Sequence, residues 1–379
     1  MFESLSQRIA AAPVLALALA VLLPAAPAAA QVVVGASLPL TGPRALLGRY
    51  WQNGVNQALA EINAAGGVLG KPLQVVYEDD LGDNPNGATN AINRLMKVHK
   101  VPAMLGPAWS VSQMATQKFY CDGSIVSVTS ASGVPVTAAG CKYVLRIRAN
   151  DTLQGQALVT YAKQHLKLDR IGIVHVNDDY GKGGADRVVQ ALEAQGLKPV
   201  GVEGHNPEDK DFSAQLGRLS KAGAQLVIIW THDQESALIV RQAKQLGLPF
   251  RFAGSTAVSQ PIFLKLAGDA SEGVISPSDY VASNPDPLVQ AFAKKYQASY
   301  KTESELYAAS YYDATHMLAK AINLAGSTDP VKIREAFGRV QYTGVMGSYR
   351  CEASGDCNHQ AHMVEIVKGQ PVVKSTVKF

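Results

Sequence analysis

Residues 32–80 read VVVGASLPLTGPRALLGRYWQNGVNQALAEINAAGGVLGKPLQVVYEDD, and this stretch decides the fold because it has the grammar of one βαβ unit. Val32, Val33 and Val34 form a β-branched apolar run, the pattern of a strand covered on both faces in a parallel sheet. Residues 35–48 are expected to form the crossing loop. From Gly48 onward, Trp51, Val55, Ala58, Leu59 and Ile62 recur at helical spacing, while Gln52, Asn56 and Glu61 fall off that stripe. Gly66-Gly67 closes the helix, since a C-terminal cap needs a left-handed conformation that glycine adopts without strain. Residues 73–77 are the second strand. Glu78-Asp79-Asp80 stand at its carboxyl end, the side on which open α/β sheets gather their ligands.

Working outward, the alternation continues. Asn84-Pro85 reads as an N-cap followed by proline at the first helical position, and Ala88, Ile92, Leu95 and Met96 carry that helix to about His99. Strands are expected at 102–106 and 125–129, with a helix from Ser110 to about Tyr120 between them. So regular an alternation predicts a parallel sheet with right-handed crossovers. Near Asn150-Asp151 the same grammar restarts, with a helix through Ala157, Leu158, Tyr161 and Ala162. Strands follow at 171–176, 199–203, 226–231, 250–254 and 273–276, and helices at 185–195, 211–221 and 236–247. Residues 276–287, rich in proline and polar side chains, read as a linker. Helices at 288–300, 305–325 and 330–339 come after it, with too few strands to build a third sheet.

The chain of 379 residues is long enough for two domains, because single cores stop growing at roughly 250–300 residues. Residues 9–23 are an apolar run behind Arg8, followed by Pro24, Pro27 and Ala28-Ala29-Ala30. This is the pattern of a cleavable secretory signal over 1–30, with Gln31 as the first mature residue and the periplasm as destination. No second apolar stretch is long enough to cross a membrane. A net charge of +4, from 35 basic and 31 acidic residues, is too mild and dispersed for a nucleic-acid partner. Four cysteines in an exported chain allow three pairings. The local one, Cys121 with Cys141 and Cys351 with Cys357, is expected, because Glu-Ala-Ser-Gly-Asp between the last two can close a small hairpin. The competing reading, a zinc cluster of Cys351, Cys357, His359 and His362, has a spacing that matches no common finger. No metal and no cofactor are expected.

The wording of the opening unit is more specific than its grammar. The order G-A-x-x-P-L-T-G-P, a helix ending in A-x-x-E-I-N-A-A-G-G-V-x-G-K-P-L and a strand ending in E-D-D resembles periplasmic solute-binding proteins of the leucine/isoleucine/valine-binding family. That resemblance implies an α/β fold of two doubly wound parallel-sheet, Rossmann-like lobes joined by hinge crossovers, with a ligand cleft between them. Residues 31–149 with 280–350 are then the first lobe, and 150–279 with 351–379 the second. The implied function is capture of a small, partly apolar solute, a branched-chain or related amino acid, for an ATP-binding-cassette importer. A ligand-sensing regulator on the same fold would need a DNA-binding or membrane segment that the sequence does not contain. A monomer is expected, with the small-molecule ligand and a membrane permease as its partners.

Three loops could hold the ligand. In Gly106–Ser112 a buried strand gives way to a helix whose first N–H groups can hold a carboxylate. Ser110 adds a hydroxyl, and Ser110 with Gln113 also fits a capping box. In residues 129–133 the small side chains let a ligand approach the backbone; the resemblance places contacts at Ala131 and Ser132, with Gly133 the other possible match. In residues 177–181 the resemblance places Tyr180, a ring and hydroxyl facing the cleft. His232 stands where family members carry a second aromatic, Ser255-Thr256 where they carry the acid that pairs with the ligand ammonium, and Leu47 in place of a tyrosine. Trp109 and Leu47 suit an apolar or aromatic body. With Thr256 in place of an acid, a buried ammonium needs Asp178, Asp179, Asp233 or Glu235, or else the ligand is a carboxylate or amide without an α-ammonium. Neither G-x-G-x-x-G, a P-loop, H-E-x-x-H nor G-x-S-x-G occurs, so the reading is binding without catalysis.

Overall fold

The computed structural model describes residues 31–358 and 360–378, together with Met1. The expected signal segment and His359 therefore lie outside the described residues, apart from Met1.

Five strands, β1 (Val32–Leu38), β2 (Leu73–Asp79), β3 (Ala103–Leu105), β4 (Val126–Thr129) and β5 (Val144–Arg146), make an all-parallel sheet in the order β2-β1-β3-β4-β5. Between them lie α1 (Ala45–Ala64), α2 (Pro85–Lys97), α3 (Ser110–Thr116) and α4 (Pro135–Ala138). The chain then crosses to a second sheet through α5 (Asp151–Tyr161). There β6 (Ile171–Val176), β7 (Gly201–His205), β8 (Leu226–Trp230), β9 (Arg251–Gly254) and β10 (Ile275–Ser278) alternate with α6 (Asp179–Glu193), α7 (Ser213–Lys221), α8 (Asp233–Gln245) and α9 (Pro261–Ala267). Their order is β10-β9-β8-β6-β7, so both sheets repeat one winding, with the strand order reversing at β1/β3 and at β6/β8. In open α/β sheets the crevice at such a reversal, beyond the strands' carboxyl ends, is where ligands settle.

After β10 the chain returns. Helices α10 (Pro287–Tyr300), α11 (Leu306–Ala325) and α12 (Pro330–Phe337) bury Phe292, Tyr296, Tyr311, Ile322 and Phe337 in the same apolar cluster as β1, β3 and β4. Helices α1 and α11 lie very close, because Gly54 leaves room for the Ala308 carbonyl; a Cβ there would stand 2.0 Å from that oxygen. In the second lobe β8 is buried along its whole length as Leu-Val-Ile-Ile-Trp. Each such fully buried large side chain contributes roughly 1.5–3 kcal/mol.

Several expectations need correction. Strand β1 runs on through Gly35–Leu38 instead of giving way to a loop at residue 35, because Ser37 is tied to Asp80 at 2.9 Å beside the β2 register. Helix α1 correspondingly starts at Ala45. A third sheet does exist: β11 (Gln341–Gly344), β12 (Gly347–Cys351) and β13 (Cys357–Asn358) are antiparallel. Strands β14 (Gln360–Val367) and β15 (Gln370–Lys378) then add antiparallel to β10, so the second sheet is mixed. Their turn, Lys368-Gly369, has φ of 53° and 73°, the two left-handed residues that a tight right-twisted hairpin requires. Cys121–Cys141 and Cys351–Cys357 are disulfides, and the zinc reading of Cys351 and Cys357 falls with them. Cys351 and Cys357 pack in the first lobe's cluster, so the last passage to the second sheet comes after Asn358, later than the expected 350/351.

Candidate functional site

Both strand-order reversals face the same small cavity, of about 50 Å³. Six of the nine expected ligand residues line it: Trp109, Ser110, Ser132, Tyr180, His232 and Thr256. Trp109 and Ser110 follow β3, Ser132 follows β4, Tyr180 follows β6, His232 follows β8 and Thr256 follows β9. A shared strand-end position thus brings residues up to 147 apart in sequence onto one wall or the other.

The remaining three are placed differently. Ala131 is buried with its N–H on the Thr129 hydroxyl at 3.0 Å, and Gly133 gives its N–H to Ser110 Oγ at 3.0 Å. Leu47 is in the first turn of α1 and packs into the first lobe's core. One helical turn later, Trp51 occupies the cavity wall that Leu47 was expected to supply. The capping-box role of Ser110 is also replaced. Trp109 is the N-cap residue of α3, with no side-chain cap, and Gln113 turns inward to Tyr120 and Ser127.

The rings form a continuous chain across the cleft. Tyr180 stacks on His232 at 5.3 Å between ring centres, and His232 meets the edge of Trp109 at 4.9 Å. Trp109 meets Trp51 at 6.1 Å, and Trp51 lies 4.7 Å from Tyr307 on α11. The Tyr180 hydroxyl donates to Ser255 Oγ at 2.7 Å, and burial pushes its pKa upward, so this residue presents a ring more than a polar tip. The indole N–H groups of Trp51 and Trp109 are buried and have no acceptor among the described residues.

Acids come from the second lobe. Asp178 caps α6 through the Gly181 N–H at 2.7 Å and meets His232 Nε2 at 3.1 Å. Burial works to raise its pKa, yet the His232 contact and the helix amides outweigh it and hold the carboxyl below its ordinary value. Asp233 is fully buried at the start of α8, and its two oxygens share the Tyr307 hydroxyl at 3.3 Å each; burial pushes its pKa up to about 6. Of the four acids singled out in the sequence, these two line the cavity. Asp179 is exposed, and Glu235 faces Arg44 at 3.6 Å, beside a separate groove.

The sequence reading missed Arg148. It is buried in the cavity wall, with Nε 3.3 Å from Asp279. The signal was there: Arg146 and Arg148 alternate within the apolar run 143–149, and charges so placed need partners. A larger depression of about 970 Å³ lies by the β11–β12 hairpin, lined by Thr343, Gly347 and Arg350 among others, and none of the expected ligand residues lines it. Converging polar groups and rings mark the smaller cavity as the candidate site. Among the described residues no group of three or more His, Cys, Asp or Glu side chains could hold a metal ion, and no helix is long and apolar enough to cross a membrane.

The sequence profile of the periplasmic binding protein family matches residues 31–371. A leucine-, isoleucine-, valine-, threonine- and alanine-binding protein of Pseudomonas aeruginosa is 32% identical over 330 residues, covering 87% of this chain and 88% of that one. Among solved structures, a leucine-binding protein from Thermotoga maritima superimposes with a TM-score of 0.84 at 27% identity, covering 92% of this chain and 99% of its own. A solute-binding protein from R. palustris in complex with benzoate gives 0.84 at 19% identity, over 92% and 97%, a likeness of fold alone.

Proposed function

This chain belongs to the periplasmic binding protein family, among the leucine/isoleucine/valine-binding proteins, and from that premise we propose that it captures a small carboxylate-bearing solute in the periplasm for an ATP-binding-cassette importer. The observation that carries the reading is the polarity of the cleft. Trp51, Trp109 and Ser110 line it from the first lobe, the two indole N–H groups having no acceptor among the described residues, and Asp178 and Asp233 line it from the second, with rings between. A branched-chain or related amino acid fits that order, with its carboxylate toward the first lobe and its ammonium toward the second.

In this reading the lobes, 31–149 with 280–358 and 150–279 with 360–378, close on the ligand as rigid bodies, no bond is made or broken, and a monomer docks on the membrane permease. Contacts to both walls exist only when the cleft is shut, so ligand shifts an open–closed equilibrium by its differential affinity. Residues 1–30 serve as the export signal. A second reading is an aromatic or aliphatic acid without an ammonium. It is favoured by Thr256 in place of the family's acid and by the ring-lined walls, and the R. palustris neighbour is in complex with benzoate. Calorimetric titration with leucine, 4-methylpentanoate, isopentylamine and benzoate separates the two. Leucine should bind under the first reading and isopentylamine should not. Failure of both acids and leucine to bind would remove the carboxylate requirement.

A further inference from the structure

We propose that Arg148 is the residue that receives the ligand's carboxylate and that it ties the ligand to the segments crossing between the lobes, an inference that rests on the reading of the cleft as a carboxylate site. Arg148 stands just after β5, where the chain leaves the first sheet, and its side chain is 7% exposed. Asp279 stands just after β10, where the chain returns. It lies 3.3 Å from Arg148 Nε and accepts the Ala149 N–H at 3.0 Å, so it joins the two crossing segments and holds one edge of the guanidinium.

Asp279 does not occupy the fork. Nη1 donates to the Ser130 carbonyl at 3.4 Å, and Nη2 donates to the Thr256 hydroxyl. Ser130 follows β4 and Thr256 follows β9, and both line the cavity with Arg148, so the fork lies between one wall of each lobe. A guanidinium carries five N–H donors. With three engaged here, one remains on each Nη nitrogen, a pair whose spacing two carboxylate oxygens can match. A ligand carboxylate seated on the fork touches a cation whose opposite edge grips both crossing segments, which couples occupancy to closure.

The test is a calorimetric titration of the mature protein and its Arg148→Gln and Arg148→Lys variants with two acid–amide pairs, leucine with leucinamide and benzoate with benzamide. Wild type should bind at least one acid about tenfold or more tighter than its amide. Arg148→Gln should bind the two alike. Because Arg148→Gln also removes the contact between Arg148 and Asp279, near-ultraviolet circular dichroism accompanies the titration. Arg148→Lys keeps a charge beside Asp279 but not the fork, and should lose at least about threefold of the acid preference. A purely structural role would weaken acid and amide together and leave their ratio intact. An unchanged ratio in a folded variant overturns the inference and leaves the functional reading standing. A wild type that binds neither acid overturns both.

Discussion

The hydroxyl oxygen of Ser110 accepts the backbone N–H of Gly133 at 3.0 Å, which joins the loop after β3 to the loop after β4. The Ser110 hydrogen is thereby left to donate, and its position depends on the smallness of residue 133. A Cβ there would stand 2.9 Å from Ser110 Oγ and 3.1 Å from its Cβ. Gly133→Ala should therefore displace Ser110 and weaken binding of whichever acid the cleft takes by roughly three- to tenfold, about 1 kcal/mol. The unfolding temperature should change little. Calorimetry and thermal scanning check this, and an unchanged affinity would take Ser110 out of the site.

Trp51 and Leu47 separate affinity from stability. Trp51 lines the cavity against Trp109 and Tyr307, whereas Leu47, one turn earlier, is buried in the core. Trp51→Phe should keep the packing volume largely filled and cost affinity through the lost indole N–H. Leu47→Ala should cost about 2–5 kcal/mol of stability with a smaller effect on affinity once the protein is folded. Urea unfolding set beside ligand titration tests the pair; the reverse assignment of effects would return Leu47 to the binding wall.

This exchange also shows what the sequence could carry. The winding of both sheets was legible because buried parallel strands and amphipathic helices alternate with few interruptions; the strand-to-helix passage then pointed to Ser110, and the family resemblance to Tyr180 and His232. What periodicity could not say is which face of α1 meets the cleft, since Leu47 and Trp51 share a stripe and α1 begins three residues earlier than the glycine suggested. For Arg148 the alternating charges of residues 143–149 showed that a partner was needed, but not which one. Arg148 serves a tertiary contact with Asp279, 131 residues away, and no local pattern encodes that pairing. The tail strands were obscured by a Lys-Gly turn, a weaker hairpin signal than Asn-Gly.

Cys351–Cys357 closes the loop that brings Asp356 to Arg146, with Nε 2.7 Å from Oδ1. Gly355 in that loop has φ of 99°, and a Cβ there would stand 2.1 Å from the Val144 carbonyl. Replacing both cysteines by serine should cost about 2–3 kcal/mol and loosen the end of β5. Peptide mapping without reduction should recover Cys121 with Cys141 and Cys351 with Cys357. A crossed pairing, or free thiols in protein exported to an oxidising compartment, would contradict the structure.

Arg44 bridges the two lobes. Its Nη2 lies 3.0 Å from Asp83 in the first lobe and 3.6 Å from Glu235 in the second, and its guanidinium sits 5.3 Å over the Trp109 ring. Arg44→Ala would leave Glu235 without that cation in the closed form, a cost the open form avoids by hydrating the carboxylate. Small-angle scattering should show a larger radius of gyration for the unliganded variant than for unliganded wild type. Saturating ligand should shrink both. Identical profiles for the two unliganded proteins would mean that Arg44 does not hold the lobes together.

The acids of the second lobe set how much a ligand's ammonium matters. Asp178 is already engaged by His232 and the α6 amides, so it has little to offer another cation. Asp233 shares the Tyr307 hydroxyl at 3.3 Å and takes a backbone hydrogen bond from its own amide, and burial pushes its pKa up to about 6, against the pull of that amide, His232 and Arg44. Near neutral pH it is ionised but pays a desolvation penalty, so replacing leucine by 4-methylpentanoate should cost under about 1.4 kcal/mol, a factor of ten. The sign with pH follows from protonation. Below about pH 6 Asp233 is neutral and attracts no ammonium; as pH rises through 6 it becomes charged, favours the ammonium and repels a bare carboxylate. The preference for leucine over 4-methylpentanoate should therefore grow between pH 5 and pH 7.5, and Asp233→Asn should flatten that growth. Titrations at both pH values decide it. A preference that is large and independent of pH would assign the ammonium to Asp178 instead, because its depressed pKa keeps it charged across the whole range.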